Sequence, residues 1–192
     1  MVIILSRHGE SEYNVENRIG GNPPLSLNGV KYAKSLGNFC ANNSNWVPKT
    51  CITSTKKRTI ETCSYIENYM NSIDQYPELD EINAGVAEDL TYEEFSRDYP
   101  IENIHRNQNK LSYRYPNGES YEDLIQRTAP IVNAILTKKK DVFIVAHRAV
   151  IRTLIYNFLG GDIQQIPNID IPLHKIIIIK DGYISLIDIE KQ

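Results

Sequence analysis

Three features of the sequence predict an α/β fold, a three-layer sandwich in which a mostly parallel sheet is flanked by helices. Short apolar runs recur at Val2 to Leu5, Thr50 to Thr53 and Asp141 to Ala146. The segments between them carry apolar residues at helical spacing, and two of the runs lead into a histidine beside an arginine, in SRHG and AHRA. Alternating strand and helix signals are the mark of βα units on a parallel sheet.

Each element has its own local reason. Val2-Ile3-Ile4-Leu5 reads as a buried strand, and the Gly9-Glu10-Ser11-Glu12 that follows reads as a loop. Leu27 to Cys40 places Val30, Ala33, Leu36 and Phe39 on one helical face. Lys57 to Met70 does the same with Ile60, Cys63 and Ile66, so both segments would lay an apolar stripe on the sheet. Thr91-x-x-Glu94 is a capping box for a helix ending before Pro100, and Ser120 to Asp123 opens a helix running towards Leu136. Ala149 to Leu159 is helical until Gly160-Gly161 stops it. Two last strands, Lys175 to Ile179 and Tyr183 to Ile189, turn at Lys180-Asp181-Gly182, a hairpin signal. With no repeat, low-complexity tract or linker, the 192 residues are expected to form one domain, 1–192.

Composition narrows the function. Hydrophobic residues make up 41% and charged residues 23%, a globular balance, and a net charge of -3 offers no basic surface for nucleic acid or anionic lipid. Phosphate chemistry would therefore rest on locally clustered Arg and Lys. Cys40, Cys51 and Cys63 are odd in number and lack C-x-x-C spacing, which reads as buried thiols in a reducing compartment. The apolar opening stops at Ser6-Arg7, far short of a signal peptide, and no run approaches the ~20 residues of a membrane span, so a soluble, cytoplasmic protein is expected.

In open α/β sheets the functional crevice lies at the carboxyl ends of the strands, so His8 and His147 would meet there. Arg7 and Arg148 beside them make sense around an anion, and Arg58, in TSTKKRT at the start of a helix, could face the same anion. A metal site is disfavoured, since there is no H-E-x-x-H and no histidine pair at helical spacing. Phosphoryl transfer through a neutral histidine also needs an acid for the leaving group, a carboxyl kept partly out of water. Residue patterns alone do not select it from 24 acidic residues.

LSRHGESEYN, RTIET and VAHRAV, in this order, resemble the histidine phosphatase superfamily, which includes phosphoglycerate mutases and acid phosphatases. RIGGNPPLSLNG, LDEINAGVAEDLTYEEF, YRYPNGESYEDLIQR and IPLHK are similar to one branch, the fructose-2,6-bisphosphatase domain of the bifunctional 6-phosphofructo-2-kinase/fructose-2,6-bisphosphatase. The resemblance implies a phosphoglycerate mutase-like fold and a phosphatase acting on a small phosphorylated substrate without a cofactor. It makes His8 the phosphorylated residue, Arg7, Asn14, Arg58 and His147 the holders of the phosphoryl group, and Glu81 the proton donor. Tyr92, Arg106, Lys110, Tyr121 and Arg152 would bind the sugar's other phosphate, whereas Tyr113 and Tyr115 are read as ordinary surface-loop residues.

Two departures from that branch stand out. Arg148 occupies the position that is usually glutamine, adding a charge at the substrate, and no G-x-x-x-x-G-K-[ST] phosphate loop is present, as for a phosphatase domain without its kinase. A mutase, a broad-specificity phosphatase and a catalytically silent phospho-ligand module stay open as alternatives. The oligomeric state is left open.

Overall fold

The computed structural model describes residues 1–189. The strand signals come together in one sheet of six strands, β1 (Val2–Arg7), β2 (Thr50–Thr53), β3 (Ser72–Gln75), β4 (Val142–Ala146), β5 (Lys175–Lys180) and β6 (Tyr183–Asp188). Their spatial order is β3-β2-β4-β1-β5-β6. The first four run parallel to one another, and β5 and β6 add antiparallel at the β1 edge. Lys180 pairs with Tyr183 across a two-residue turn whose Asp181 and Gly182 both have positive φ, the backbone that Asp-Gly accommodates.

Both faces of the sheet are covered, and the period of two along each strand sorts the core. Ile3, Leu5, Val142, Ile144 and Ala146 pack on one side with Leu124 and Val132 of α6 (Tyr121–Lys138) and Ile151 and Leu154 of α7 (Arg148–Leu159). Ile4, Phe143 and Val145 point the other way, against Tyr32, Leu36 and Phe39 of α2 (Leu27–Asn42) and Cys63 of α3 (Lys57–Ser64). Parallel strands buried on both faces read as continuous apolar runs, which explains VIIL and VFIVA. All three cysteines are buried and free.

Two local expectations need correction, and two elements, β3 and the helix after Pro100, lie beyond what the sequence suggests. The helix expected to reach Met70 ends at Ser64 and gives way to a 3-10 turn at Glu67–Tyr69. Its hydrogen bonds tighten to the i−3 pattern at Ile66, Tyr69 and Met70, and the tighter winding drops Ile66 fully into the core. Strand β3 was not anticipated, because Asp74 and Gln75 at its exposed end break the apolar run. The expected loop after His8 contains a short helix, α1 (Glu12–Val15), with Ser11 and Asn14 in a reciprocal cap. The Thr91 capping box opens α4 (Tyr92–Asp98), which ends before Pro100 as expected, and Pro100 then starts a further helix, α5 (Pro100–Gln108), where its missing N–H is harmless.

Among the described residues no helix is long and apolar enough to cross a membrane. Phe143, fully buried between β1, β2 and α2, is expected to lose about 3–5 kcal/mol on truncation to Ala. Leu27→Ala, at a position 84% exposed, should shift stability by less than about 0.5 kcal/mol. Urea denaturation of the two variants checks the contrast.

Candidate active site

The pairing of β1 with β4 sets the site. Arg7 lies opposite Ala146, and the His8 N–H donates to the Ala146 carbonyl at 3.0 Å, so both strands release their histidines at the same level. The two rings are 5.1 Å apart at 57°. Gly9 next to His8 is needed for close approach, since a Cβ there would meet the Gly29 carbonyl of α2 at 2.5 Å. Its N–H donates to Thr62 Oγ1 on α3, tying the loop to the helix that carries Arg58.

The hydrogen-bond network assigns the tautomer of His8. Nδ1 lies 2.7 Å from the Gly9 carbonyl, which can only accept, so Nδ1 carries the proton. Nε2 is left with its lone pair, and Arg58 Nε donates to it at 3.2 Å. Burial, and after it the charges of Arg58 and Arg7, hold the imidazole well below its ordinary pKa and therefore neutral. His147 is neutral for the same first reason, reinforced by Arg58. Its Nε2 meets Ser54 Oγ at 2.7 Å, and Ser54 is fixed in turn by the Lys56 N–H and Thr59 Oγ1.

Cations surround this pair. Arg58 is buried and donates Nη1 to the Gly21 carbonyl at 3.0 Å. Burial takes Arg7 down to about 10 although Glu81 opposes the shift. Among the described residues, Arg7 Nε and His147 Nδ1 are buried without a hydrogen-bond partner. Buried polar atoms without a protein partner suit a ligand that brings acceptors. Asn14 spends its side-chain oxygen on the Ser11 cap, which leaves its amide nitrogen to donate.

His8 opens onto a cavity of about 600 Å³. Glu81 stands in its wall, half-buried, with Oε1 accepting from the Ile82 N–H. Arg106, Lys110 and Arg152 line the same cavity with Tyr92 and Tyr121. Burial, and after it the charges of Arg106, Arg152 and Arg148, lower the pKa of Lys110. Arg152 donates to Tyr121 Oη at 2.8 Å and to the Ile169 carbonyl, and Arg106 sits over the Tyr92 ring. Arg148, the first residue of α7, is exposed to the cavity and makes no hydrogen bond or ion pair among the described residues. Its charge acts on both Arg7 and Lys110.

Every expected site residue except His147 lines this cavity, and His147 lies fully buried behind His8. One reading fails: Tyr113 and Tyr115 are not ordinary surface-loop residues. Tyr115 is buried, both line the cavity, and Tyr115 Oη accepts from Arg106 Nε at 2.6 Å. The i, i+2 aromatic spacing of YRY, which puts both rings on one side of an extended segment, was the available signal. Ser54, the anchor of His147, was equally visible in TSTKKRT at the end of β2. No group of three or more His, Cys, Asp or Glu among the described residues is placed to hold a metal ion.

The family model for the histidine phosphatase superfamily (branch 1) matches residues 3–182. The chain is 44% identical over 175 residues to human 6-phosphofructo-2-kinase/fructose-2,6-bisphosphatase 4, an alignment that covers 91% of this chain and 36% of that protein. The chain thus spans about a third of the length of the curated relatives it matches. Among solved structures, Bacillus stearothermophilus YhfR superposes with a TM-score of 0.79 at 28% identity, over 96% of this chain and 94% of the other. The alpha-ribazole phosphatase of Shigella flexneri reaches 0.82 at 20% identity, over 98% and 95%. The fold is the one the sequence predicts.

The neutral histidines make a stability prediction with a definite sign. An unfolded chain protonates His8 and His147 near their ordinary pKa of about 6.5, whereas the folded chain resists it, so unfolding takes up protons below that pH. Folding stability should be full above about pH 6.5 and decline as pH falls, by up to about 1.4 kcal/mol per pH unit for each histidine. Urea titrations from pH 7 to 5 measure the slope, which the His8→Asn, His147→Asn double variant should flatten.

Proposed function

Because the chain belongs to the histidine phosphatase superfamily (branch 1), we propose that it is a metal-independent phosphatase working through a phosphohistidine on His8, with fructose 2,6-bisphosphate as substrate and fructose 6-phosphate as product. The reading treats residues 1–192 as one histidine phosphatase domain, of which 190–192 lie outside the described residues. The observation that carries the chemistry is the state of His8: neutral, with Nδ1–H tied to Gly9, and its Nε2 lone pair held among buried guanidinium groups. Such a nitrogen can attack phosphorus without first losing a proton.

In the first step Nε2 forms a bond to phosphorus, and the bond from phosphorus to the sugar oxygen breaks. The leaving oxygen keeps the electron pair and takes a proton from Glu81. Arg7, Arg58, Asn14 and His147 hold the non-bridging oxygens, His147 donating from Nδ1 in the tautomer in which Ser54 donates to Nε2. In the second step water attacks the phosphohistidine, Glu81 accepts the water's proton, and Nε2 recovers its lone pair as phosphate leaves. The second cation cluster supports a substrate with a further phosphate: Arg106, Lys110 and Arg152, with Tyr92, Tyr115 and Tyr121, offer donors for a phosphate and sugar hydroxyls in the same cavity. A silent binding module would not need a carboxyl in the wall of the cavity onto which His8 opens.

His8→Ala should abolish phosphate release in EDTA while the protein stays folded, and normal turnover by that variant would remove His8 from the mechanism. Glu81→Gln should keep substrate binding and slow turnover by about 10²–10⁴. A panel of fructose 2,6-bisphosphate, phosphoglycerates and sugar monophosphates fixes the substrate. Release confined to phosphoglycerates, or spread evenly over the panel, would overturn the bisphosphate assignment while leaving the histidine chemistry.

A further inference from the structure

The reading above accounts for Arg58 as a clamp but leaves open what aims its guanidinium at His8. The group that receives Arg58 Nη1 is the Gly21 carbonyl, part of a Gly20-Gly21 turn with φ of 65° and 60°. Left-handed backbone at two successive residues does not hold itself in place, and glycine makes it looser still. Glu88 supplies the restraint. Its Oε2 accepts from the Gly21 N–H at 2.5 Å and its Oε1 from the Ala84 N–H at 2.7 Å, in the loop that follows Glu81. Gly20 packs directly on the same carboxylate, and a Cβ there would collide with it. One residue further on, Asn22 Oδ1 accepts from the Lys57 N–H and so caps the helix that carries Arg58.

We propose that Glu88 is a positioning residue that sets Arg58 against His8 and locks the Gly20-Gly21 turn to the Glu81 loop. Glu88 does not line the cavity, so it acts through Gly21 rather than on substrate. Only a carboxylate fits the task. Two backbone N–H groups face its two oxygens, and an amide would turn an NH₂ towards one of them. The negative charge of Glu88, after that of Glu81, also opposes the lowering of the Arg58 pKa by burial. The groups facing His8 are Arg58 from α3, Arg7 from β1 and His147 from the end of β4, and of these only Arg58 is reached from Glu88 by the bonds described.

The inference rests on Arg58 serving a phosphate site at His8, and a double-mutant cycle tests it with inorganic phosphate as the probe. Glu88→Gln should weaken orthophosphate binding about tenfold by calorimetry, the scale of one lost hydrogen bond to a charged group. In an Arg58→Ala background it should produce no further loss, because the two act in series. Independent, additive losses would overturn the proposal, since a merely structural carboxylate gives that pattern. The second readout needs no ligand. The ¹⁵N resonance of His8 Nε2 should move in Glu88→Gln in the same direction as in Arg58→Ala, and an unmoved resonance overturns the relay. If wild-type protein failed to bind orthophosphate, the proposed function would fall and the His8 resonance would still decide this inference. Should Glu88→Gln not fold, Glu88→Asp, which keeps both acceptors but withdraws them by one methylene, carries the same two measurements.

Discussion

Parallel pairing of β1 with β4 is the constraint on which the rest of the site depends. Residues 8 and 147 are 139 positions apart, and the ladder that aligns Ile3 with Val142 and Arg7 with Ala146 is what delivers them within ring contact. A slip of one residue would turn Ile3 and Leu5 from one helical layer to the other and carry Arg7 and His8 to opposite faces. Both faces of the sheet are buried by different clusters, so such a slip would be strongly opposed on both sides. Core packing thereby fixes the geometry of the chemistry, although no core side chain takes part in it.

Burial then determines the charge state. The same exclusion of water that keeps His8 and His147 neutral lowers the pKa of Arg7 and Arg58, so the site holds two strained populations side by side: bases that resist protonation and cations that are costly to keep. Glu81, Glu88 and Asp80 soften the second strain by acting on Arg58. A dianionic phosphoryl group would relieve it further, and relief delivered only when the ligand is in place is the electrostatic preorganisation that phosphoryl transfer requires. Arg148 adds a further cation to the cavity wall that makes no hydrogen bond or ion pair among the described residues.

Much of this was legible in the sequence because it is local. VIIL and VFIVA announce strands buried on both faces, Ser120 and Thr91 announce helix starts, and Asp181-Gly182 announces the hairpin. The histidines were legible as a pair because both follow strands that end on the same edge of a parallel sheet. Glu81 was not: a half-buried loop carboxylate has no pattern of its own, and only resemblance singled it out. Ser54 and Glu88 escape for a related reason, since each owes its role to a partner far along the chain, Ser54 to His147 and Glu88 to Gly21. Strand β3 was missed because its place is secured by pairing with β2 rather than by apolar periodicity.

Covalent phosphorylation of His8 is read most directly by rapid mixing of the protein with fructose 2,6-bisphosphate labelled in its C2 phosphate, quenching in alkali, where phosphohistidine survives, and locating the label by peptide mass spectrometry. Label on the peptide containing His8, formed at least as fast as phosphate is released and lost on acidification, is the predicted result. Full-rate phosphate release with no label on the protein, or with label on any other residue, would contradict it.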